Sequence, residues 1–354
     1  MKEYKVIGVM SGTSLDGLDL VSCIFSESNN KWNYLIGQAT TIPYDEDMNN
    51  LLNSAPGVSA IELLKMDRRY AEYIAQQINQ FTRNTNFKAD LIASHGHTIF
   101  HQPEIGITYQ LGDGATIAEK TGITTVSDFR AFDIVHGGQG APLVPVGDML
   151  LFGKYDACLN LGGFSNISFT KDQKRIAFDI CPVNIIINLL AQKAGSKMDL
   201  NGKIAESGNM VREILLNLNK IEFYSQPFPK SLGREWLEEN VIPLVINDRI
   251  KISDALRTVY EHIAIQISGI INDQGLRTVL VTGGGAFNKF LIQLIGSKSK
   301  ADIFIPDELL VNYKEALIFG LLGVLRIRNE INCLASVTGA RTDLSTGVIY
   351  LIKK

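Results

Sequence analysis

The stretch Lys5-Val-Ile-Gly-Val-Met-Ser-Gly-Thr-Ser-Leu-Asp-Gly-Leu-Asp19 decides how the rest of the chain is read. Val6, Ile7, Val9 and Met10 form the apolar run of a buried strand, and the chain then enters a turn holding Ser11, Gly12, Thr13, Ser14 and Gly17, with no helix between. Small hydroxyls and glycines let an anion approach backbone N–H groups. The turn is therefore suited to phosphate. Asp16 and Asp19 are placed to hold a hydrated Mg²⁺ rather than the anion, with Asp16 the assigned metal ligand. No Gly-Lys-Ser/Thr follows the glycines, so this is not a Walker loop. The alternative for the segment alone is a strand ending in an ordinary Gly/Ser/Asp turn.

Outward from this hairpin, residues 18–25 and 32–43 read as two further strands of a meander. Residues 57–84 form an amphipathic helix with Leu63, Met66, Tyr70, Ile74, Ile78 and Phe81 on one stripe. A short buried strand at 91–96, ending in a polar turn, is followed by a helix near 114–120 and a strand at 124–129. Three antiparallel strands followed by alternating helices and strands is the order of a ribonuclease-H-like domain. Residues 157–169 then repeat the strand, Gly-Ser turn, strand grammar of the N-terminus. The segment 176–181 reads as a strand, and 184–194 and 203–217 as helices. A helix from about 253 carries Leu256, Val259, Ile263, Ile267 and Ile270 on one face. The repetition predicts an α/β chain of two ribonuclease-H-like domains flanking an interdomain cleft, residues 1–131 plus 333–354 and residues 132–332, with the two hairpins clasping a triphosphate.

Composition bounds the function classes. A chain of 354 residues, 45% hydrophobic and 20% charged, has the balance of a soluble globular protein with room for two cores. The net charge of −3 gives no long-range pull toward nucleic acid or anionic lipid. Cys23, Cys158, Cys181 and Cys333 form no paired motif, which suits reduced thiols in a cytoplasmic protein. No apolar run approaches the roughly 18 residues of a membrane span.

The residues that carry chemistry lie at strand ends. Gly162 and Gly163, with Asn166 after them, offer donors to a phosphate, and Gly283 and Gly284 after a strand let an adenine lie on bare backbone. Each glycine pair alone also reads as a tight turn. Asp179, in Ala-Phe-Asp-Ile-Cys-Pro, is the candidate general base, because ligands of α/β folds gather at the carboxyl ends of strands. Its alternative is a turn or helix N-cap before Asn184. Ser94-His-Gly-His-Thr-Ile-Phe-His101 has metal-ligand spacing, and His95 and His97 would share a face if the strand ran through them. Gly96 favours a turn instead, so a polar substrate-lining loop including His97 and Thr98 is expected over a metal site. Arg130 closes a strand and can bind an anionic group, or a surface carboxylate. Glu315 opens an apolar helix and can grip sugar hydroxyls, or simply complement the helix dipole.

Gly8 through Asp19, Ser94-His-Gly, His101-Gln-Pro, Gly112-Asp-Gly-Ala115 and Asp128-Phe-Arg130 together resemble the anhydro-N-acetylmuramic acid kinase family, as do Gly137-Gly-Gln-Gly-Ala-Pro-Leu-Val-Pro145, Leu159-Asn-Leu-Gly-Gly163, Phe178-Asp179, Glu315-Ala316 and Ser336-Val-Thr-Gly-Ala340. The family lies in the sugar-kinase and actin-like ATPase superfamily, and the resemblance covers essentially the whole chain. It implies an ATP- and Mg²⁺-dependent enzyme of cell-wall recycling. Such an enzyme opens 1,6-anhydro-N-acetylmuramic acid with water and phosphorylates the freed O6, giving N-acetylmuramic acid 6-phosphate and ADP. It further implies Gly12, Thr13, Ser14, Leu15, Asp16, Gly17, Leu18 and Asp19 as the hairpin that binds the ATP phosphates, Asp179 as general base, Arg130 and Glu315 as sugar-holding residues, and a homodimer. The chain departs from the family pattern at Ile180-Cys-Pro-Val-Asn184, at His97 where a Gln is usual, and at Gly147-Asp148 where a His is usual. An ordinary sugar or acetate kinase of the same superfamily and an actin-like regulatory ATPase are the competing readings.

Overall fold

In the computed structural model, which describes residues 2–12, 15–246 and 250–353, the opening stretch is strand β1 (Glu3–Ser11). Val6, Ile7, Gly8 and Val9 are buried in succession, because the strand is covered on both faces, and this explains an apolar run without alternation. β1 pairs antiparallel with β2 (Leu18–Ser28), and β2 with β3 (Lys31–Ile42). On its other side β1 pairs in parallel with β4 (Leu91–Gln102), which hairpins to β5 (Ile107–Leu111) and runs parallel to β6 (Thr125–Ser127). A second sheet joins β7 (Ala157–Leu161), β8 (Phe164–Lys171) and β9 (Lys174–Pro182) as a meander, with β10 (Thr278–Thr282) and β11 (Asp302–Phe304) parallel beyond β7. The strand orders are β12-β6-β4-β1-β2-β3, closed by β12 (Val348–Tyr350), and β11-β10-β7-β8-β9. A meander followed by two parallel strands beside its first strand thus occurs twice, which is the ribonuclease-H-like plan predicted.

The chain divides into two compact units, Met1–Leu151 with Tyr313–Lys354, and Phe152–Asn312. They part near 151 and 312 instead of at 131 and 332. The Gly137–Pro142 loop is tied into the first unit, since Gly140 N–H donates to Asp133 Oδ2 and Gln139 N–H to the carbonyl of Thr338. The first unit buries one face of its sheet under helix α1 (Ala60–Thr85). Ser59 caps that helix by accepting from the N–H of Glu62, and Asn86 ends it in a left-handed conformation. Tyr70, Ile74, Ile78 and Phe81 are buried as the stripe predicts, while Leu63 and Met66 are only partly covered. In the second unit the helix expected over 203–217 is two helices, Lys203–Ser207 and Arg212–Asn219. Gly208 breaks it because its backbone lies against Ser253, where a Cβ would sit 2.1 Å from the carbonyl oxygen. The helix expected from 253 is α2 (Ile252–Asp273), with Leu256, Val259, Ile263 and Ile267 buried.

The other face of the first sheet is covered by α3 (Glu308–Ile327), whose helical backbone breaks at Tyr313. Three glycines let this helix lie directly on the strands. A Cβ on Gly8 of β1 would stand 2.0 Å from the carbonyl oxygen of Ala316, and one on Gly323 would stand 2.6 Å from the Cβ of Ala93 on β4. At Gly320 the nearest atom is Phe25 Cε2 of β2, 3.3 Å away. Backbone cannot yield as a flexible side chain can, so Gly8→Ala should lower stability by about 1–3 kcal/mol or more, the usual cost of overpacking. Thermal melting checks this, with Gly269→Ala in α2 as control. No atom lies within 4 Å of the Gly269 Cβ position, and that substitution should leave the melting temperature unchanged or raise it.

Candidate functional site

In the first unit the turn joining β1 to β2 is built as its glycines require. Gly17 has φ +151°, and a Cβ there would meet the carbonyl oxygen of Ile42 at 2.4 Å. Leu15 takes a left-handed φ of +60° and donates its N–H to Gly12 at 3.2 Å. Thr13 and Ser14 lie outside the described residues. Asp19, opposite Met10 and Thr41, accepts the Thr41 hydroxyl at 2.6 Å. Burial raises its pKa to about 6 against the pull of that bond, and the carboxylates of Glu315 and Asp16 push it further in the same direction. Among the described residues no group of three or more His, Cys, Asp or Glu side chains could hold a metal by itself. A hydrated Mg²⁺ needs only one or two carboxylates beside phosphate oxygens and waters, and mutually repelling carboxylates at the hairpin fit that demand.

The histidine segment differs from the expected turn. β4 continues through it, with Gly96 at φ +76°, and three β1 residues, Val9 to Ser11, face four on β4, Ser94 to His97. This bulge reverses the side-chain alternation. His95 lies on the α3 face with its ring 4.7 Å from that of Phe319, whereas His97 turns to the α1 face beside Tyr70. A shared metal is thereby excluded for this pair. His97 Nδ1 is 2.8 Å from Ser11 Oγ, and the hydroxyls of Ser11, Tyr44 and Tyr70 form a buried chain with links of 2.7 Å. Burial lowers the His97 pKa to about 4, so its ring is neutral at physiological pH. His97 thus ties the end of β1 to α1, and Thr98 beside it is paired to Gln110 in the β4–β5 hairpin.

Arg130 donates from Nε to His95 Nε2 at 2.9 Å and from Nη1 to the carbonyl of Gly140 at 2.7 Å. Glu315 directly follows Lys314, whose ammonium is buried in an ion pair with Asp148 at 3.2 Å. Desolvation pushes the Glu315 carboxyl up, while Lys314 and Arg130 pull it back. Asp148, standing where the resembling family usually has His, therefore balances the charge beside Glu315.

In the second unit Asp179 lies within β9. The helix Asn184–Lys193 is preceded by Val183 with no side-chain cap, so Asp179 is not the cap of that helix. Across the sheet Thr282, Asn160, Asn166 and Asp179 occupy directly opposed positions on β10, β7, β8 and β9. Asn166 is therefore beside the carboxylate. Asp179 N–H donates to the carbonyl of Lys230 at 3.0 Å, and Leu232 N–H donates to Asp179 Oδ2 at 2.8 Å. Among the described residues Oδ1 accepts no hydrogen bond. Burial raises the Asp179 pKa above its ordinary value, partly offset by the Leu232 N–H. The holding segment, anchored by Phe228 stacked on Phe178 at 5.0 Å, was missed in the sequence. Its one signal is the aperiodic, proline-rich run Gln226-Pro-Phe-Pro-Lys-Ser-Leu-Gly233.

The two glycine turns of this unit adjoin. Gly283 has φ +82° and would place a Cβ 2.5 Å from Asn160 Oδ1, and a Cβ on Gly285 would meet Leu161 at 2.7 Å. The carbonyls of Gly162 and Gly163 accept N–H bonds from Asn184 and from Val183 and Ile185, respectively. Gly284 lies 3.7 Å, from its Cβ position, to Asn184 Nδ2.

The family model for anhydro-N-acetylmuramic acid kinase matches residues 4–352. The chain belongs to the anhydro-N-acetylmuramic acid kinase family. Curated relatives named anhydro-N-acetylmuramic acid kinase include one from Actinobacillus pleuropneumoniae serotype 7, 35% identical over 378 residues and covering 99% of this chain and 100% of the relative. One from Aliivibrio fischeri is 35% identical, covering 98% and 99%, and one from Sulfurovum sp. is 32% identical, covering 99% and 100%. Membership in the anhydro-N-acetylmuramic acid kinase family makes this chain a kinase for an anhydro amino sugar, with ATP as the phosphoryl donor, and sets aside the ordinary sugar-kinase or acetate-kinase reading and the regulatory-ATPase reading.

Because burial raises the folded-state pKa of Asp179, its ionised form is penalised in the folded protein. That cost is full above the folded pKa and vanishes below the unfolded one. Asp179→Asn should therefore melt no lower than the parent near neutral pH, with any gain disappearing in acid; a melting series over pH checks both.

Proposed function

We propose that this chain opens 1,6-anhydro-N-acetylmuramic acid with water and transfers the γ-phosphoryl group of ATP to the freed O6, with Asp179 as the general base. The observation that carries the assignment is the carboxylate of Asp179 held through Oδ2 by one backbone N–H with Oδ1 open. In the reaction a water oxygen bonds to C1 and gives a proton to Oδ1 of Asp179. The C1–O6 bond breaks, and O6 bonds to the γ-phosphorus as ADP leaves. The products are N-acetylmuramic acid 6-phosphate and ADP, and the proton on Asp179 passes to solvent. Each half assists the other, since water is a poor nucleophile and O6 leaves more readily when it is captured.

Phosphoryl transfer asks for positioning and charge stabilisation more than for covalent help. The backbone around Gly12 and Gly17, and in the second unit the Gly162–Gly163 turn with the Gly283–Gly284 turn beside it, would receive the nucleotide. Asp16 and Asp19 would hold Mg²⁺, which supplies charge neutralisation at the phosphates when bound. Arg130 and Glu315, with the neighbourhood of His97 and Thr98, would hold the sugar. The raised carboxyl of Glu315 suits a group that donates or accepts at a hydroxyl. Among the described residues no helix is long and apolar enough to cross a membrane. A cytoplasmic homodimer working in cell-wall recycling is the setting that this chemistry fits.

General-base assistance is worth about 10²–10⁴-fold, so Asp179→Asn should lose at least about 10²-fold in turnover while still binding ATP. In the parent, kcat/KM should fall on the acid side with an apparent pKa above the ordinary aspartate value, because only ionised Asp179 accepts the proton. In water enriched in heavy oxygen the label should enter at C1 of the product. Label at O6, or near-normal turnover in Asp179→Asn, would contradict the mechanism.

A further inference from the structure

The second ring nitrogen of His95 shows what this residue does. Its Nδ1 stands 2.9 Å from the carbonyl oxygen of Gly96, which can only accept, so Nδ1 carries the proton and Nε2 presents a lone pair. The Nε–H of Arg130 points at that lone pair from 2.9 Å. Protonating Nε2 would set N–H against N–H and a second cation against the guanidinium. Burial, first, and the charge of Arg130, second, hold the ring neutral, and His97 and His101 add to the same effect. The ring is 4% exposed and is wedged by Phe319, which also meets Phe129, the residue before Arg130.

The other anchor of Arg130 is equally fixed. Gly140, whose carbonyl takes Nη1–H, is tied by its own N–H to Asp133 Oδ2, and Asp133 Oδ1 accepts from Thr338 Oγ1 at 2.7 Å and Cys333 Sγ at 3.1 Å. Both acceptors facing the guanidinium are uncharged. Among the described residues no carboxylate forms an ion pair with it, and Glu315 acts on it only at longer range. A carboxylate in the place of His95 would orient Arg130 and cancel its charge; an imidazole lone pair orients it and leaves the charge intact. Three of its five N–H donors are left for another group.

We propose that His95, as the Nδ1-protonated neutral ring, is a positioning residue that aims Arg130, uncompensated, at an anionic oxygen of the substrates. This rests on the reading of Arg130 as a substrate-holding residue. The anion is either the lactyl carboxylate of the sugar or the phosphoryl group in transfer.

The test compares His95→Asn, His95→Gln, Arg130→Ala and the double variant His95→Asn/Arg130→Ala in steady-state kinetics with 1,6-anhydro-N-acetylmuramic acid and ATP. Asn keeps a donor for Gly96 and lacks the acceptor for Arg130, while the Gln side-chain oxygen reaches the place of Nε2. A hydrogen bond to a charged group is worth about 10–100-fold, so His95→Asn should lose about that much in kcat/KM. His95→Gln should recover most of the loss, and the double variant should be no worse than Arg130→Ala. A loss confined to the sugar KM, absent with an uncharged 1,6-anhydro-N-acetylglucosamine, assigns the carboxylate; a loss in kcat with both sugars assigns the phosphoryl group. Nitrogen-15 spectra of the parent should show His95 with a bare Nε2 across the neutral range, a readout independent of variant folding. Arg130→Ala impaired with His95→Asn unaffected, or a protonated Nε2, would overturn the inference and leave the Arg130 reading standing. Arg130→Ala within about twofold of the parent would overturn both.

Discussion

Everything on one face of the first sheet depends on how closely α3 lies against β1. The contact is backbone to backbone, since Gly8 has no Cβ and the carbonyl of Ala316 occupies the space one would need. Gly323 against Ala93 extends the same close approach to β4. A helix seated this low brings Phe319 onto His95, and Lys314 and Glu315 to the end of the sheet where Asp19 stands. With any larger side chain at Gly8, the helix would ride outward and each of these side chains with it. The energetics of packing and the geometry of the site are in this sense one constraint.

A second regularity joins the two units. In each, a candidate site side chain is held by a neutral group that leaves part of it unused. Arg130 is held by an imidazole lone pair and a carbonyl, and Asp179 by a single backbone N–H. Neutral partners fix direction at little cost in charge, which is what preorganised electrostatic stabilisation requires. Burial then sets the protonation state: His95 and His97 are kept neutral, and Asp179 becomes a stronger base than an exposed aspartate.

The architecture was legible because it repeats. Two apolar runs each ending in a glycine turn, at 5–19 and 157–169, announced two meanders, and the strand orders agree. The position of Asp179 near the end of an apolar strand was legible as well. What escaped the sequence was anything set by left-handed glycines or by distance along the chain. Gly96 reads as a turn, but at φ +76° it makes a bulge that sends His95 and His97 to opposite faces. The Lys230–Leu232 segment that holds Asp179 lies some fifty residues away and carries no periodic pattern, so nothing local links them. The unit boundaries differ from the expected ones for a related reason: Asp133 gathers the nearby Gly140 together with Cys333 and Thr338, about two hundred residues further along the chain.

The most direct test of the account is a crystal structure of the enzyme with a non-hydrolysable ATP analogue, Mg²⁺ and the intact anhydro sugar. The account predicts Asp179 Oδ2 still on the Leu232 N–H and Oδ1 about 3 Å from a water aligned with C1. An Oδ1 bonded to protein, or a C1 beyond reach of any water held by Asp179, would contradict it.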